Sequence, residues 1–169
     1  MFHEITPYEI PGNVFERIFH EWFLITAQKP DGTVNTMTAA WGGMGINFGV
    51  PSIHCYVRPH RYTYEFTEAC ERMTFCFFGD GCREELEFLG SRSGRDGDKI
   101  TASGLTPITE GDITYFAEAK LVIVGRRRYT ATVENAHFDR AEDRENQYPD
   151  GAPHRVYVCD IERVLQADE

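Results

Sequence analysis

The sequence predicts a mainly β protein, a closed or partly closed antiparallel barrel into which a few short helices are inserted. Short runs rich in β-branched and aromatic residues recur along the chain, and turn residues separate them. Two stretches have the apolar spacing or end signals of a helix, and both are short. Because 169 residues can bury one sizeable core and no repeat or composition break divides them, we expect one domain spanning residues 1–169.

The first part of the chain is predicted to contain an irregular entry, a hairpin and a further strand. Pro7, Pro11 and Gly12 break regular structure near the start, and Lys-Pro-Asp-Gly at 29–32 is typical of a hairpin turn. Four glycines after Trp41 predict a second interruption. In order, the predicted elements are an irregular segment 1–18 with one helical turn at 14–19, strands 22–28 and 33–41, a break at 42–49, and strand 52–58.

The second part is predicted to contain both helices, three strands and two polar loops. The 91–99 segment is too charged for a core and too short for a linker, which indicates a functional loop. The alternation of the last strand shifts by one position at Ile161, so we expect a bulge there. The predicted elements are helices 62–70 and 83–89, strands 73–78, 121–133 and 154–165, loops 91–99 and 100–107, and a mobile surface loop 139–151.

Composition excludes several classes of partner. A net charge of −10 argues against nucleic-acid binding, which needs a basic face. The densest basic run is Arg126-Arg127-Arg128, and we interpret it as a solvated edge or a local set of salt bridges. No apolar run is long enough to cross a bilayer and the start of the sequence lacks a secretory signal, so we expect no membrane partner and a cytoplasmic location.

Five cysteines, none of them in a Cys-x-x-Cys pair, predict free thiols that are mostly buried, and no metal site. Cys82 differs from the others because it follows Gly81 at a predicted helix start. A helix N-terminus there could acidify the thiol. The favoured alternative is a packed or idle Cys82 without a catalytic role.

Residues 35–43 are flat and mostly apolar, with small side chains, hydroxyls and one tryptophan, a composition suited to close approach by a planar ring. Trp41 stands between Ala40 and Gly42, without the bulky neighbours of a core tryptophan, which favours ring stacking over a core position. For the polar residues of this segment, the alternative is that their side chains only make the ordinary hydrogen bonds of a strand end. The candidate contacts are the side chains of Asn35, Thr36 and Thr38, the backbone of Met37, Thr38 and Ala39, and the Trp41 indole.

Residues 58–65 are cationic and carry hydroxyls, which suits a phosphate group. The candidate phosphate contacts are Arg58, His60, Arg61 and Thr63, joined by Lys99 from the 91–99 loop. The alternative is a surface cluster neutralised by Glu65, Asp96 and Asp98. A ring-binding segment beside a phosphate-binding one describes a mononucleotide-like cofactor, so we expect Trp41 and Lys99 to face one shared cleft.

Four segments, 35–43, 58–65, 90–99 and 103–107, resemble in order and spacing the flavin reductase-like FMN-binding split-barrel family, which includes flavoredoxin. The resemblance implies an antiparallel split β-barrel, bound FMN, and a homodimer with the cofactor near the subunit interface. It points to Thr63 and Lys99 as phosphate ligands with Ser91 and Ser93 nearby, and it places a residue of the His137 region near the flavin. NADH or NADPH, or a redox partner protein, would be the electron donor.

Other enzyme classes are not supported. Gly43-Met44-Gly45 is not a dinucleotide fingerprint, because Phe48 replaces its third glycine and Pro51 follows in place of a helix. No hydrolase, nucleotidase or metalloprotease motif occurs, and hydride transfer to a flavin requires no acid or base residue, so we predict no catalytic side chain. Three hypotheses remain: a reductase that retains FMN, a reductase that releases flavin to a monooxygenase, and a non-catalytic flavin-binding or storage module.

Overall fold

The structure is a computed structural model that describes residues 1–168. Its strands are β1 (Phe2–Ile5), β2 (Phe23–Gln28), β3 (Val34–Ala39), β4 (Gly42–Asn47), β5 (Val50–Val57), β6 (Arg72–Phe77), β7 (Pro107–Glu110), β8 (Ile113–Phe116), β9 (Leu121–Thr132) and β10 (Arg155–Ala167). Its α-helices are α1 (Tyr62–Ala69), α2 (Arg83–Ser91), α3 (Lys99–Ser103) and α4 (Ala141–Gln147). Shorter helical turns cover Pro7–Glu9, Glu16–Glu21, Gly79–Cys82 and Asn135–His137.

One antiparallel sheet has the strand order β3-β2-β6-β9-β10-β5-β4, with β1 added beside β10. Its two outer strands, β3 and β4, are consecutive in the chain and are joined only by Ala40 and Trp41. Two residues allow at most about 11 Å between the Cα atoms of Ala39 and Gly42, so the sheet must curl until its edges approach at that end. The mainly β, antiparallel prediction is confirmed.

The sheet separates two apolar clusters. Phe23 and Phe75 belong to the cluster on the inner face, which α1 closes with Phe66. Leu24 and Val122 belong to the cluster on the outer face, which lies under α2, α3 and the β7–β8 hairpin. Strands β2, β6 and β9 are therefore buried on both faces, and near-continuous apolar runs in the sequence are the result.

Most predicted elements are confirmed. The bounds of β2, β3, β6, α1 and α2 all lie within two residues of the predicted ones. The last strand also contains the expected irregularity, because the register of β10 against β9 shifts between Ile161 and Arg163. Local periodicity was sufficient for these elements.

The predicted break at 42–49 is wrong. Residues Gly42–Asn47 form strand β4, which pairs with β5 through a tight turn at Phe48 and Gly49 with φ values of 53° and 81°. Glycine is needed here for packing, because a methyl group on Gly42 would collide with the His54 carbonyl oxygen and one on Gly43 with the His54 ring. The glycines mark close backbone approach at an edge strand.

Three further predictions need correction. The entry segment contains β1, which pairs with the end of β10. The 100–107 loop begins with α3, whose start is capped by Asp98 accepting a hydrogen bond from the Thr101 N–H at 3.1 Å. The supposed surface loop 139–151 contains α4. Short helices and strands of this kind depend on tertiary contacts more than on their own sequence.

The basic run forms salt bridges, as one of its two interpretations predicted. Arg126 lies 2.9 Å from Glu71 and Arg128 donates to Asp160 at 2.6 Å. Arg127 instead donates to the Thr67 carbonyl oxygen at 2.8 Å. The strand therefore directs these residues to different faces, and each guanidinium has a partner within residues 1–168.

Four of the five thiols are buried, as expected, and Cys82 is partly buried. The proposed acidification of Cys82 is wrong, because burial and the nearby Glu85 carboxylate raise the pKa of its thiol. Nowhere in residues 1–168 do three His, Cys, Asp or Glu side chains gather so that they could hold a metal ion. None of the helices described has the length and apolar character that a membrane crossing requires.

Candidate functional site

Two adjacent cavities beside β3 extend from the start of α1 to Trp41, and together we call them the groove. Its first section, which we call the cationic end, has a volume of about 180 Å³ and is lined by Thr63 and Lys99 among others. Its second section, the tryptophan end, has a volume of about 280 Å³ and is lined by Trp41. Met37 and Arg61 line both sections, so the section lined by Lys99 and the section lined by Trp41 are neighbours.

The cationic end is built where α1 meets β3. Thr63 lies in the first turn of α1 and is buried, and its hydroxyl oxygen accepts a hydrogen bond from the Asn35 Nδ2 at 2.8 Å. Arg61 immediately precedes the helix and donates to the Gly90 carbonyl oxygen at 3.0 Å. The helix N-terminus and its polar partners therefore face the groove, an arrangement that favours an anion.

Lys99 is the buried cation of this end, with 6% of its surface exposed. Its Nζ donates to the carbonyl oxygens of Leu89 at 2.8 Å and Arg92 at 3.0 Å, near the C-terminal end of α2. Burial and the neighbouring positive charge of Arg61 lower the pKa of Lys99 to about 8. An ammonium has three donors, so one N–H remains for a ligand.

The charges of this end are unbalanced. Among residues 1–168, no ion pair is formed by Arg61, Arg92 or Lys99, although all three line the cationic end. Arg95 behaves differently, since its guanidinium lies 2.6 Å from the Glu65 carboxylate. Unpaired cations in a chain of net charge −10 indicate a site for an external anion. The alternative of a self-neutralised cluster does not hold for these three side chains.

The 91–99 loop is fitted closely against α1 and β3. A methyl group at Gly94 would collide with the Asn35 amide oxygen and lie 2.9 Å from the Tyr62 ring. Arg95 stacks over that ring at 4.8 Å and donates to the His60 carbonyl oxygen at 3.1 Å. Because the loop cannot shift without breaking these contacts, it holds Lys99 in place.

Two serines of this loop line the cationic end, and their hydroxyls already have protein partners. The Ser91 Oγ donates to the Phe88 carbonyl oxygen at 3.1 Å, and the Ser93 Oγ accepts from the Arg95 N–H at 3.2 Å. The Ser93 hydroxyl therefore keeps its own hydrogen free to donate to an anion.

The tryptophan end is formed by aromatic rings. Trp41 is 39% exposed, which decides between its two interpretations in favour of a surface position. Its ring centroid lies 4.8 Å from that of His154 and 6.1 Å from that of Tyr56. Burial and Arg58 lower the pKa of His154 to about 4, so the imidazole is neutral, and it shares a 2.9 Å hydrogen bond with the Tyr148 hydroxyl. The rings of this end are therefore uncharged, although Arg58 and Arg61 also line it.

Several predicted contacts are otherwise engaged. Strand alternation turns Thr36 and Thr38 away from the face that carries Met37. The Thr36 hydroxyl is buried against Thr26 at 2.8 Å, and the Thr38 hydroxyl donates to the Leu86 carbonyl oxygen at 2.6 Å. These two hydroxyls are not free for a ligand, although β3 is an edge strand whose backbone groups alternate outward.

Two other predicted residues, Arg58 and His137, have contacts or positions that differ from those expected. Arg58 lines the tryptophan end, but its guanidinium lies 3.0 Å from the Asp150 carboxylate and donates to the Gln147 carbonyl oxygen. His137 is exposed, lies 3.7 Å from Glu134 and lines neither section of the groove. Its short helical turn directs the side chain outward, and a role for His137 near the flavin stays a prediction.

Sequence reasoning missed the residues brought to the groove by non-local pairing. Tyr56 lies in β5, His154 immediately precedes β10, and Arg92 immediately follows α2. Alternation along β5, which places His54, Tyr56 and Arg58 on one face, is a signal that would have identified Tyr56.

No protein-family model matches the sequence, and no curated protein matches it. Solved structures do match. An FMN-binding domain of a flavin reductases-like enzyme from Shewanella baltica has a TM-score of 0.68 at 14% identity, with 98% of this chain and 77% of that chain covered. Flavoredoxin of Desulfovibrio vulgaris has a TM-score of 0.67 at 23% identity, with 88% and 69% covered.

An FMN-binding protein from Thermus thermophilus, with bound p-hydroxybenzaldehyde, has a TM-score of 0.68 at 17% identity, with 97% of this chain and 83% of that chain covered. At such identities the likeness concerns the arrangement of the strands. The chain has the split-barrel fold of the flavin reductase-like FMN-binding proteins, and the resemblance predicted from its four segments is confirmed at the level of fold.

Proposed function

We propose that the protein binds FMN in the groove and acts as an oxidoreductase of the flavin reductase type. The observation that carries the proposal is the groove itself, with three unpaired cations at one end and an exposed tryptophan at the other. A phosphate monoester and a planar ring joined by a flexible chain have this pattern of charge and shape. The names of the structural neighbours, which include FMN-binding and flavin reductase proteins, support the same cofactor.

The donor set of the cationic end fits a phosphate. Arg61 and Arg92 would supply guanidinium donors, Lys99 a buried ammonium, and Thr63 and Ser93 hydroxyl groups. A phosphate dianion would compensate the repulsion between Lys99 and Arg61 that the protein alone leaves unbalanced. We therefore assign the phosphate to this end.

The tryptophan end would receive the flavin ring. Trp41 offers a face for stacking, Met37 and Ala39 offer apolar contacts, and the outer edge of β3 offers backbone donors to the polar edge of the ring. FMN, when bound, supplies the electron chemistry by accepting a hydride from NADH or NADPH or electrons from a redox partner protein. The side chains described here bind and orient, and none is assigned as an acid or base.

We also propose a homodimer. The β4–β5 turn exposes an apolar patch in which Ile46 and Phe48 are each 61% exposed and Tyr129 is 51% exposed, with the Phe48 and Tyr129 rings 6.0 Å apart. Contiguous exposed apolar residues are typical of protein interfaces. Sedimentation of the wild type should give a dimer, and Phe48→Glu should shift it toward monomer. A wild-type monomer at micromolar concentration would contradict the proposal.

The absorbance spectrum of the purified protein, before and after addition of NADH or NADPH, tests the function. We expect flavin absorbance bands, or saturable binding of added FMN, and bleaching by the nicotinamide. Rapid exchange of the flavin would identify a reductase that releases it, whereas bound FMN without nicotinamide oxidation would favour a storage module or a protein donor. Absence of FMN binding in titration would overturn the proposal.

A further inference from the structure

A second, larger cavity opens beyond the tryptophan end. Its volume is about 930 Å³, and Ala40, Trp41 and Tyr56 line both this cavity and the groove. Cavities between roughly 300 and 1,000 Å³ are typical of small-molecule sites. We call it the apolar cavity, and a molecule in it would lie next to the ring end of the groove.

The lining of the apolar cavity is chemically unlike the cationic end. Its walls are mostly aromatic and aliphatic and include Phe15, Phe19, Phe138 and Tyr148. Of the described residues that line it, none is Lys or Arg, and Glu16 is the one carboxylate. An anionic molecule would therefore find no compensating charge, and burying a charge without a partner is unfavourable.

Two polar groups in this cavity have no protein partner. His54 and Tyr56 alternate on the outer face of β5, and across residues 1–168 neither the His54 ring nitrogens nor the Tyr56 hydroxyl makes a hydrogen bond to the protein. Burial lowers the pKa of His54, which keeps its imidazole neutral with one donor and one acceptor. Their rings lie 6.0 Å apart, close enough to serve one ligand.

The glycines of β4 keep this position open. A side chain at Gly43 would occupy the place of the His54 ring, so glycine lets the imidazole lie directly on the strand. The Trp41 ring borders the same surface, 6.1 Å from that of Tyr56. The cavity is thus a built site with an apolar wall and two adjacent hydrogen-bonding groups.

We propose that the apolar cavity binds a small neutral aromatic molecule that carries a carbonyl or hydroxyl oxygen, held by hydrogen bonds from His54 and Tyr56. The inference goes beyond the proposed function, since it concerns binding at a site that does not include the phosphate-binding residues. The absence of cations distinguishes the ligand from a nicotinamide dinucleotide, whose diphosphate would need them.

Acetophenone and benzoate form a matched pair of probes, because they have similar size and differ in charge. We measure their binding by titration calorimetry and saturation-transfer NMR on the purified full chain, with and without FMN. We expect saturable binding of acetophenone and at least about tenfold weaker binding of benzoate. Equal affinities, or no saturable binding of acetophenone, would overturn the proposal.

Substitutions at His54 and Tyr56 test where acetophenone binds. His54→Phe keeps the apolar volume and removes both ring nitrogens, and we expect it to weaken acetophenone binding about fivefold. Tyr56→Phe is the second variant and should have a similar effect, so the test stands if one of them fails to fold. Lys120→Met is the control and should leave acetophenone binding unchanged, since Lys120 is exposed and lies outside the lining of the apolar cavity. Unchanged acetophenone affinity in both folded aromatic variants would overturn the assignment.

The result separates the two proposals. Acetophenone binding without FMN binding would support the apolar cavity and reject the proposed function, and the converse would reject only the cavity. Repeating the titration at low and high protein concentration tests occupancy by a second copy of the chain. An affinity that falls as the protein concentration rises would mean that the second copy fills the cavity, and would overturn the proposal.

Discussion

The cationic end and the tryptophan end of the groove differ in the side chains that line them and in the contacts that hold those side chains. At the cationic end, buried polar groups from three segments bond to each other at fixed distances, as in the 2.8 Å contacts of Asn35 with Thr63 and of Lys99 with Leu89. At the tryptophan end, the partly exposed Trp41 ring lies against the His154 ring at an interplanar angle of 35°, with 4.8 Å between the ring centroids. The first end is suited to recognising one chemical group, and the second tolerates any flat ring. Comparison of FMN with riboflavin, which lacks the phosphate, can test this difference.

Removing the buried ammonium should have the largest effect. We expect Lys99→Met to weaken FMN binding about 100-fold, because a charge-assisted hydrogen bond in a buried site contributes about 2 to 3 kcal/mol. Riboflavin affinity should be unchanged, which flavin fluorescence titration can show. Lys120→Met is the matched control, since Lys120 is exposed and lines neither end. Equal losses for FMN and riboflavin would mean that Lys99 supports the fold and not the phosphate.

Removing the Trp41 indole should weaken the binding of FMN and of riboflavin equally. We expect Trp41→Leu to reduce FMN and riboflavin affinity about 20-fold each, because stacking of a ring on an aromatic side chain contributes about 1 to 3 kcal/mol. Trp22→Phe is the control, since Trp22 packs against the outer apolar cluster. Intact flavin affinity accompanied by a lower melting temperature would make Trp41 structural.

The dependence of ligand affinity on pH should also distinguish the cationic end from the tryptophan end. The pKa of Lys99 is lowered to about 8, so its ammonium, the form that binds phosphate, predominates below that pH and is lost above it. FMN affinity should therefore fall about tenfold between pH 7 and pH 9, with proton uptake on binding near pH 8. Riboflavin should show no such change, and Lys99→Arg should abolish it. A flat profile for wild-type FMN binding would contradict this assignment.

The smallest effect concerns the shape of the 91–99 loop. We expect Gly94→Ala to weaken FMN binding about fivefold, because the added methyl group displaces Asn35 or the loop at a cost of about 1 kcal/mol. Gly45→Ala is the control, since nothing lies within 4 Å of a methyl group placed there. Calorimetry of both variants should show riboflavin binding at wild-type strength, and a loss there would place the loop outside the phosphate site.

The sequence was sufficient for elements whose signals are local. The Lys29–Gly32 turn predicted the first hairpin, and the spacing of Tyr62 and Phe66 predicted α1. It failed for β4, whose glycines are explained only by the position of His54 on the neighbouring strand. Which residue is required at such a position depends on the neighbouring strand, and the sequence of one segment does not show which strand that is.

The same limit applies to the candidate site. Thr63 and Lys99 were identified because hydroxyls and cations cluster within short segments, and the structure places both at one end of the groove. Tyr56 and His154 were missed, since the pairing of β5 with β10 brings them to Trp41. Thr36 and Thr38 were included for their chemistry, but both hydroxyls bond within the protein, although Thr38 lines the tryptophan end. Ligand contacts for all of these residues remain predictions.

The two-residue joint of Ala40 and Trp41 has a consequence for how this protein could change over time. The same dipeptide draws the barrel edges together and carries the indole, so no insertion there can alter one without disturbing the other. At the turn between β7 and β8, by contrast, the chain can lengthen without separating the β3 and β4 edges. The fluorescence of Trp41 should then report on any increase in the distance between the β3 and β4 edges.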